Sequence, residues 1–392
     1  MIYLDYNATS PMPPQVLAGM LPFFAERVGN PSSVHGPGRL ARQGLDEARR
    51  QLASRLQVHE SQVIFTSGGT EANNIALFGT ASRCGFRGHM VVSAVEHPSV
   101  LQVGERLAQL GMEVTWLAVD EAGVVRPDAL RAAMRADTVL VSIMHANNET
   151  GVIQPLAEIA TLCRAMAAKV AIHTDAVQSG GRVPLSLAAL QVDMLSLSAH
   201  KLGGPKGVGA LIVDKSLALE PLLLGGGQER GRRAGTENVP GIVGFGLAFD
   251  WACARMGEES ARLLALQQQL ERGIQAQLPA CQIFGQQAAA RLPNTTALGM
   301  PGIHGETVVM NLDLEGFAVS SGSACGSGRA KPSHVPLAMG ASPDLAAGMV
   351  RVALGWETTQ EEVERFVVAF VRVIKRLQQF AFPALPGEAA IG

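Results

Sequence analysis

The stretch Met194-Leu-Ser-Leu-Ser-Ala-His-Lys201, followed by the glycine-rich residues 202–209, decides the fold prediction. Its apolar beginning predicts a short buried strand over residues 194–198. The chain then passes through Lys201 into backbone that glycine allows to turn tightly. Burial disfavours the charged form of a lysine and lowers its pKa, so the neutral amine of Lys201 could form a Schiff base. A surface lysine in an ordinary turn is the alternative that this stretch leaves open.

Asp175 strengthens the ligand-binding interpretation of Lys201. It closes another apolar run, residues 170–174, and precedes Lys201 by about the length of one strand–crossover–strand unit. Neighbouring parallel strands would place both side chains at the edge of the sheet where open α/β sheets bind ligands. An aspartate that protonates the pyridine nitrogen and a lysine that holds the aldehyde are what pyridoxal phosphate requires. A helix N-cap is the competing interpretation of Asp175 alone.

Composition and charge exclude several classes of protein. The 392 residues are 47% hydrophobic and 17% charged, with 43 glycines, which is typical of a compact α/β enzyme. A net charge of -2 gives no sign of a nucleic-acid surface. Neither a run of 18 apolar residues nor a secretory signal is present, so we expect no membrane association. The five scattered cysteines lack metal-type spacing and indicate a reducing compartment, and therefore a cytoplasmic protein without a metal site.

Strands and helices alternate through the first two thirds of the chain. This pattern predicts an α/β fold with a mainly parallel seven-stranded sheet, and a helix over residues 39–56. After about residue 255 the pattern changes to a long helix over 258–277 and mixed elements. We therefore expect a large domain over residues 15–255 and a smaller α+β domain over 1–14 and 256–392. The predicted sheet strands are 63–66, 90–94, 113–117, 139–144, 170–174, 194–198 and 208–213.

Three loops that follow predicted strands carry candidate cofactor ligands. Gly69 and Thr70 lie in a glycine turn before a helix, where free amides and the helix dipole favour a phosphate, although such turns are frequent. His97 could stack on a pyridine ring and shuttle protons, or be a plain loop histidine. Asn148 could hydrogen-bond the ring hydroxyl or the substrate, but asparagine is common in turns.

The second half of the chain adds three further candidates. Thr236 lies in a glycine- and arginine-rich loop, residues 225–238, which is either a solvated loop or one that reaches a phosphate across a dimer interface. Cys325 sits among small polar residues, which favours a reactive thiol, whereas the other four cysteines lie in helical or apolar segments. Arg351 lies inside an apolar run and needs a partner, either a substrate carboxylate or a structural salt bridge.

The ordered set TSGGTE, EHPSV, NNETG, HTDAVQS, SAHK, RAGTEN and SSGSAC resembles the cysteine desulfurases of the class V aminotransferase group. The resemblance runs from YLDYNAT to VRVALG and is strongest to the iron–sulfur-cluster branch. It implies the fold-type I architecture of pyridoxal-phosphate transferases. It also implies that Lys201 forms the Schiff base and moves the substrate proton, that Cys325 is the nucleophile, and that His97 stacks on the ring. The remaining implied ligands are Asp175 and Gln178 for the ring, Gly69, Thr70, Ser198, His200 and a partner's Thr236 for the phosphate, and Asn148 and Arg351 for the substrate.

The resemblance implies a homodimeric enzyme that converts L-cysteine to L-alanine. Sulfur would pass as a persulfide on Cys325 to an acceptor protein, such as an iron–sulfur scaffold or a sulfur carrier. The chain after Phe380 and the segment GSGRAKPSH after the cysteine depart from the common pattern, which leaves the acceptor open. A selenocysteine lyase or another class V aminotransferase is the alternative, because it would keep Lys201 and Asp175 without needing Cys325. A non-catalytic scaffold would be expected to lose one of these three residues.

Overall fold

A computed structural model describes residues 1–322 and 332–380 of the protein. Three 3₁₀ segments lie at Glu60–Gln62, Ala199–Lys201 and Gln228–Gly231. The strands are β1 Ile2–Tyr3, β2 Val63–Thr66, β3 His89–Ser93, β4 Glu113–Leu117, β5 Thr138–Ser142, β6 Ala171–Asp175, β7 Met194–Ser198, β8 Gly209–Val213, β9 Gln282–Phe284, β10 Thr295–Gly299, β11 Phe317–Ala318, β12 Ser320–Ser321 and β13 Met349–Ala353. The α-helices are α1 Pro14–Met20, α2 Pro22–Ala25, α3 Gly36–Leu56, α4 Gly69–Arg83, α5 Pro98–Gln109, α6 Pro127–Ala133, α7 Leu156–Met166, α8 Leu187–Leu190, α9 Val239–Gln277, α10 Gly305–Leu314, α11 His334–Ala338, α12 Pro343–Ala347 and α13 Gln360–Phe380.

The central sheet has seven strands in the order β2-β8-β7-β6-β5-β3-β4, which confirms the predicted mainly parallel sheet. Only β8 runs against its two neighbours, β2 and β7. The bounds of β2, β4 and β7 agree with the predicted strands. The others differ by one or two residues at an end, and β6 extends to include Asp175 as its last residue.

Apolar side chains cover both faces of this sheet. Successive residues of β3 point to opposite faces, so Val91 joins one apolar cluster while Met90 and Val92 join the other. In β7, Leu195 likewise belongs to the cluster of Val91, and Met194 belongs to the cluster of Met90. Burial on both faces explains why the strands read as continuous apolar runs rather than as an alternating pattern.

Helix α9 connects the sheet to a second apolar core. It begins at Val239, capped by the Asn238 side chain, and so starts well before the predicted residue 258. Its first half packs with the sheet, and its second half contributes Leu263 through Ile274 to a cluster with β1, β10, β13 and α13. The first half of α9 could not be predicted from apolar periodicity, because residues 239–249 are buried on nearly every side of the helix.

The N-terminal strand belongs spatially to this second core. Strand β1 pairs in parallel with β11, and Asp5 forms a further bridge with Ala353. The two cores support the proposed division into a domain over 15–255 and another over 1–14 and 256–392. The boundary at residue 255 lies inside α9, so the two units share one continuous helix.

Residues 1–322 and 332–380 show neither a membrane-spanning helix nor a metal-binding cluster. None of the helices in this part of the chain is long and apolar enough to cross a membrane. The same residues contain no group of three or more histidine, cysteine or acidic side chains placed to hold a metal ion.

Candidate active site

One cavity of about 240 Å³ brings most of the predicted ligands together. It opens at the carboxyl edge of the central sheet, where β6 ends at Asp175 and β7 leads into Lys201. Loops after β3 and β5 and the first turn of α4 complete its wall, as expected for a ligand site of an open α/β sheet. The predicted residues that line it are Gly69, Thr70, His97, Asn148, Asp175, Gln178, Ser198, His200, Lys201 and Arg351.

A larger cavity of about 450 Å³ lies elsewhere, beside Cys281 and Gln275. Its described lining offers glutamines, apolar groups and one carboxylate, from Glu121, but no amine or imidazole. It therefore has no lysine amine for a Schiff base and no imidazole, and we regard the smaller cavity as the candidate active site.

The amine of Lys201 is held at the cavity by two backbone carbonyls. Lys201 Nζ donates to the oxygens of Asn7 and Ala8 at 2.7 and 2.8 Å. Burial, followed by the cations of Arg351 and Arg182, lowers the pKa of Lys201 to about 8. The amine is thus available in its neutral, nucleophilic form near physiological pH, which an exposed turn lysine would not be.

Asp175 and His97 are linked through two residues that the sequence analysis did not select, Asn73 and Ser99. Asn73 Nδ2 donates to Asp175 Oδ2 at 2.7 Å and to Ser99 Oγ at 2.9 Å. The backbone amide of Val177 donates to the other Asp175 oxygen at 2.9 Å. Asp175 is only 5% exposed and faces the cavity with its orientation set by these donors.

The same chain of hydrogen bonds determines which nitrogen of His97 carries the proton. The backbone N–H of Ser99 donates to His97 Nδ1 at 3.1 Å, so Nδ1 must be an acceptor. The Ser99 hydroxyl, 2.8 Å away, then also donates to Nδ1, and the proton lies on Nε2. Burial lowers the pKa of His97, which makes the neutral ring, with Nε2–H as a donor, the dominant form at neutral pH.

The start of α4 and the turn after β7 form the side of the cavity suited to an anion. The first backbone N–H groups of a helix have no partner within the helix and favour negative charge. Helix α4 lies so close to the sheet edge that a Cβ at Gly69 would stand 2.7 Å from the Val177 side chain. Thr70, Ser198 and His200 add side-chain donors there. Burial lowers the pKa of His200 to about 4, so it takes part as a neutral donor.

Arg351 has the structural salt bridge that one of its two interpretations requires, and it also lines the cavity. Its Nη2 forms a salt bridge with Asp5 Oδ1 at 2.8 Å, and its Nη1 donates to the Asn148 carbonyl at 3.1 Å. Its Nε is buried and has no partner among the described residues. A buried donor of this kind is costly unless a ligand accepts from it, and a carboxylate in the cavity would do so.

Of the predicted residues, Thr236 does not line the cavity, and Cys325 is not among the residues that the structure describes. Thr236 is exposed and is not part of the cavity lining of its own chain. Arg233, in the same loop, forms a salt bridge of 2.7 Å with Glu71 in the first turn of α4. Cys325 lies outside the described residues. The neighbouring described segments are anchored at the cavity, since Ser320 donates to Asp5 at 2.8 Å and Ser333 donates to Glu149, next to Asn148, at 2.6 Å.

The cavity also contains residues that the sequence analysis missed. They are Asn7, Ala8, Asn73, Ser99, Met144 and Val177. Asn7 and Asn73 belong to YLDYNAT and the region just after TSGGTE, so their motifs were visible but their orientation was not. Asn73 is only 1% exposed. A polar amide on the side of a helix that faces the sheet needs a hydrogen-bond partner, and this requirement could have indicated that Asn73 has a role in the site.

These donors and acceptors fit pyridoxal phosphate. The buried carboxylate of Asp175 suits a protonated pyridine nitrogen, and the amine of Lys201 suits an aldehyde. The helix start, together with Ser198 and His200, suits a phosphate, and the absence of a Cβ at Gly69 lets the helix start lie against Val177 at the sheet edge. The ring of His97, which lines the cavity, can stack on the face of the cofactor.

Comparisons with known proteins agree with the geometry. Residues 2–366 match the family described as aminotransferase class-V. The chain is 43% identical to the cysteine desulfurase IscS of Dictyoglomus turgidum, over 96% of this chain and 95% of the relative. A solved NifS-like protein superposes with a TM-score of 0.90 at 36% identity, covering 96% and 99% of the two chains. A solved structure of SspA in complex with cysteine gives 0.79 at 32% identity, covering 90% and 99%. The chain therefore belongs to the class V aminotransferase family, in the group of its cysteine desulfurases.

Proposed function

We propose that this protein takes sulfur from L-cysteine, releases L-alanine and holds the sulfur as a persulfide on Cys325 for transfer to an acceptor protein. The observation that carries the proposal is the convergence of Lys201, Asp175 and Arg351 on one cavity. Lys201 offers an amine of lowered pKa, and Arg351 an unpartnered buried donor. The relatives named cysteine desulfurase and the cysteine-bound SspA support L-cysteine as the substrate.

Different residues of the cavity bind the substrate and the cofactor. Arg351 Nε binds the substrate carboxylate, and Asn148 lies beside it at the cavity wall. Asp175, Gln178, His97 and the start of α4 hold pyridoxal phosphate. When bound, pyridoxal phosphate supplies an electron sink that stabilises negative charge at the substrate Cα.

Lys201 accepts a proton in the reaction, and His97 donates a hydrogen bond. In its neutral form Lys201 Nζ removes the proton from the substrate Cα, since its pKa of about 8 places it near the working pH. His97 presents Nε2–H as a hydrogen-bond donor because Ser99 occupies Nδ1. Lys201 is therefore the base, and the neutral His97 ring donates a hydrogen bond without giving up its proton.

Cys325 receives the sulfur. Its thiolate attacks the sulfur of the substrate, an S–S bond forms, and the Cβ–S bond breaks with its electron pair left on the carbon fragment. Protonation of that fragment leads to alanine, so no external oxidant is required for this step. The resemblance of SSGSAC to the cysteine segment of the desulfurases supports this assignment.

The finer parts of the proposal concern assembly and context. We infer a homodimer in which Thr236 reaches the phosphate site of the partner, supported by its exposure away from its own cavity. Just before this loop, the side chains of Leu222–Leu224 are exposed, which supports burial of this surface by the partner subunit. The relatives named IscS support sulfur delivery for iron–sulfur cluster assembly, and the sparse, free cysteines support a cytoplasmic location.

Product analysis tests the proposed function directly. With L-cysteine and a reductant, we expect alanine and sulfide in equal amounts. Without the reductant, one sulfur per chain should add to the peptide that contains Cys325, as measured by mass spectrometry. Sulfur found on none of the cysteines, or turnover of L-selenocysteine alone, would instead support the lyase alternative.

Cofactor uptake should depend on pH through Lys201. At pH 7, a pKa of about 8 leaves roughly 300 times more neutral amine than the ordinary lysine value of 10.5 would. We expect the rate of pyridoxal phosphate capture by the apoprotein to rise roughly tenfold from pH 6 to 7 and to level off above about pH 8. Stopped-flow absorbance would measure it, and a rate still rising steeply at pH 10 would contradict the lowered pKa.

A further inference from the structure

Arg182 lies behind the cofactor cavity and is not part of its described lining, yet it contacts two of the residues that are. Its Nη1 donates to the side-chain oxygen of Gln178 at 2.7 Å and to the Gln178 carbonyl at 2.9 Å. Its Nη2 donates to the carbonyls of Lys201 at 3.1 Å and Tyr6 at 3.2 Å. Arg182 thus joins the N-terminal segment, the turn after β6 and the turn after β7.

The chemistry of arginine makes this contact directional. A guanidinium group only donates hydrogen bonds, so the part of the Gln178 amide that faces Arg182 must be Oε1. The NH₂ group of Gln178 must then point away from Arg182. A flipped amide would place two N–H donors against a cation and lose the 2.7 Å hydrogen bond.

The NH₂ group of Gln178 has one hydrogen available for a ligand. Gln178 Nε2 donates to the Asn7 carbonyl at 3.1 Å and makes no second hydrogen bond within residues 1–322 and 332–380. Gln178 lines the cavity, and the same Asn7 carbonyl accepts from Lys201 Nζ. The amide nitrogen and the lysine amine therefore meet at one carbonyl, which places the free N–H beside the site of the cofactor aldehyde.

We propose that Arg182 is a positioning residue that holds the Gln178 amide with its NH₂ group toward the cavity, where it donates to the phenolic oxygen of bound pyridoxal phosphate. This inference rests on the proposed function for the identity of the cofactor. In pyridoxal phosphate the phenolic oxygen stands next to the aldehyde that Lys201 holds. An anionic oxygen there requires a donor, and a flipped Gln178 would present an acceptor instead.

The charge state of Arg182 is compatible with this role. Burial, helped by the nearby cation of Arg351, lowers the pKa of Arg182 to about 10. The guanidinium therefore remains protonated at neutral pH, and its four carbonyl and amide acceptors offset the cost of burial.

A double-mutant cycle tests the proposal by the affinity of the apoprotein for pyridoxal phosphate. We expect Arg182→Met to weaken binding by about tenfold or more, the cost of one hydrogen bond to a charged group. In a Gln178→Ala background, Arg182→Met should cost nothing further, because its effect passes through Gln178. Arg182→Lys keeps a donor-only cation and should remain within about threefold of the wild type.

Two additional arms separate positioning from general damage. An analogue with a methylated phenolic oxygen should bind equally to the wild type and to Arg182→Met. Gln178→Glu keeps an acceptor for Arg182 but loses the NH₂ group, so it should bind pyridoxal phosphate as weakly as Gln178→Ala. This variant keeps the proposal falsifiable even if Arg182→Met does not fold.

Several outcomes would overturn the proposal. They are wild-type affinity in Arg182→Met or Gln178→Glu, additive losses in the double mutant, or an equal loss for the methylated analogue. A wild-type protein that binds no pyridoxal phosphate would instead refute the proposed function itself.

Discussion

Replacement of Lys201 by alanine is expected to lower alanine production from L-cysteine by roughly 10⁴-fold, the upper range for loss of one acid–base group. The substitution removes both the amine that holds the cofactor aldehyde and the base that takes the Cα proton. We also expect the visible absorbance of the purified protein to change, because the bond to Lys201 is lost. Discontinuous assay of alanine, with a spectrum of each preparation, would measure both effects.

The structure supplies a matched control for this change. Lys206 lies five residues further along the same glycine-rich segment, is exposed and does not line the cavity. Lys206→Ala should therefore keep wild-type activity and colour. The fold of Lys201→Ala should persist. The Asn7 carbonyl loses its hydrogen bond from Lys201 in this variant but still accepts one from Gln178. More than a tenth of wild-type activity in Lys201→Ala would remove Lys201 from the reaction.

Replacement of Cys325 by alanine should reduce sulfide release by roughly 10³-fold or more, as expected when a nucleophile is deleted. Cofactor binding should be unchanged, because every group that we assign to the cofactor lies on other parts of the chain. The combination of full cofactor loading and lost desulfuration distinguishes a persulfide mechanism from that of a selenocysteine lyase or another class V aminotransferase. Sulfide release and cofactor content would be measured on the same sample.

The other cysteines provide the comparison for Cys325. Burial raises the pKa of the Cys163 and Cys253 thiols to about 11 and that of Cys281 to about 12, so these groups hold little thiolate at neutral pH. Substitution of Cys253 by alanine should therefore leave sulfide release intact. Equal losses in Cys253→Ala and Cys325→Ala would contradict the assignment of Cys325 as the nucleophile.

Much of the fold was predictable from local sequence. The strands of the central sheet are buried on both faces, and so each one appears as a short apolar run. Asp175 and Lys201 follow such runs, and the carboxyl ends of neighbouring parallel strands meet at one edge. Their convergence therefore followed from strand order alone, and the structure confirms that both line the same cavity.

Other features depend on residues that are distant in sequence. Arg351 meets Asp5 across 346 positions, and Asn7 accepts from Lys201 across 194. The start of α9 was missed because residues 239–249 are buried on nearly every side, which removes the helical period from their sequence. Cys325 falls outside the described residues, so its proposed role rests on the SSGSAC motif.

The chemical groups of the site, and the edge of the sheet at which most of them lie, could be deduced from the order of residues along the chain. Their chemical states depend on folding: the lowered pKa of Lys201, the protonated nitrogen of His97 and the direction of the Gln178 amide. This difference arises because apolar periodicity is a local property of the chain. Burial, charge and hydrogen-bond direction instead arise from neighbours such as Asn7, Ser99 and Arg182, which only folding brings into contact.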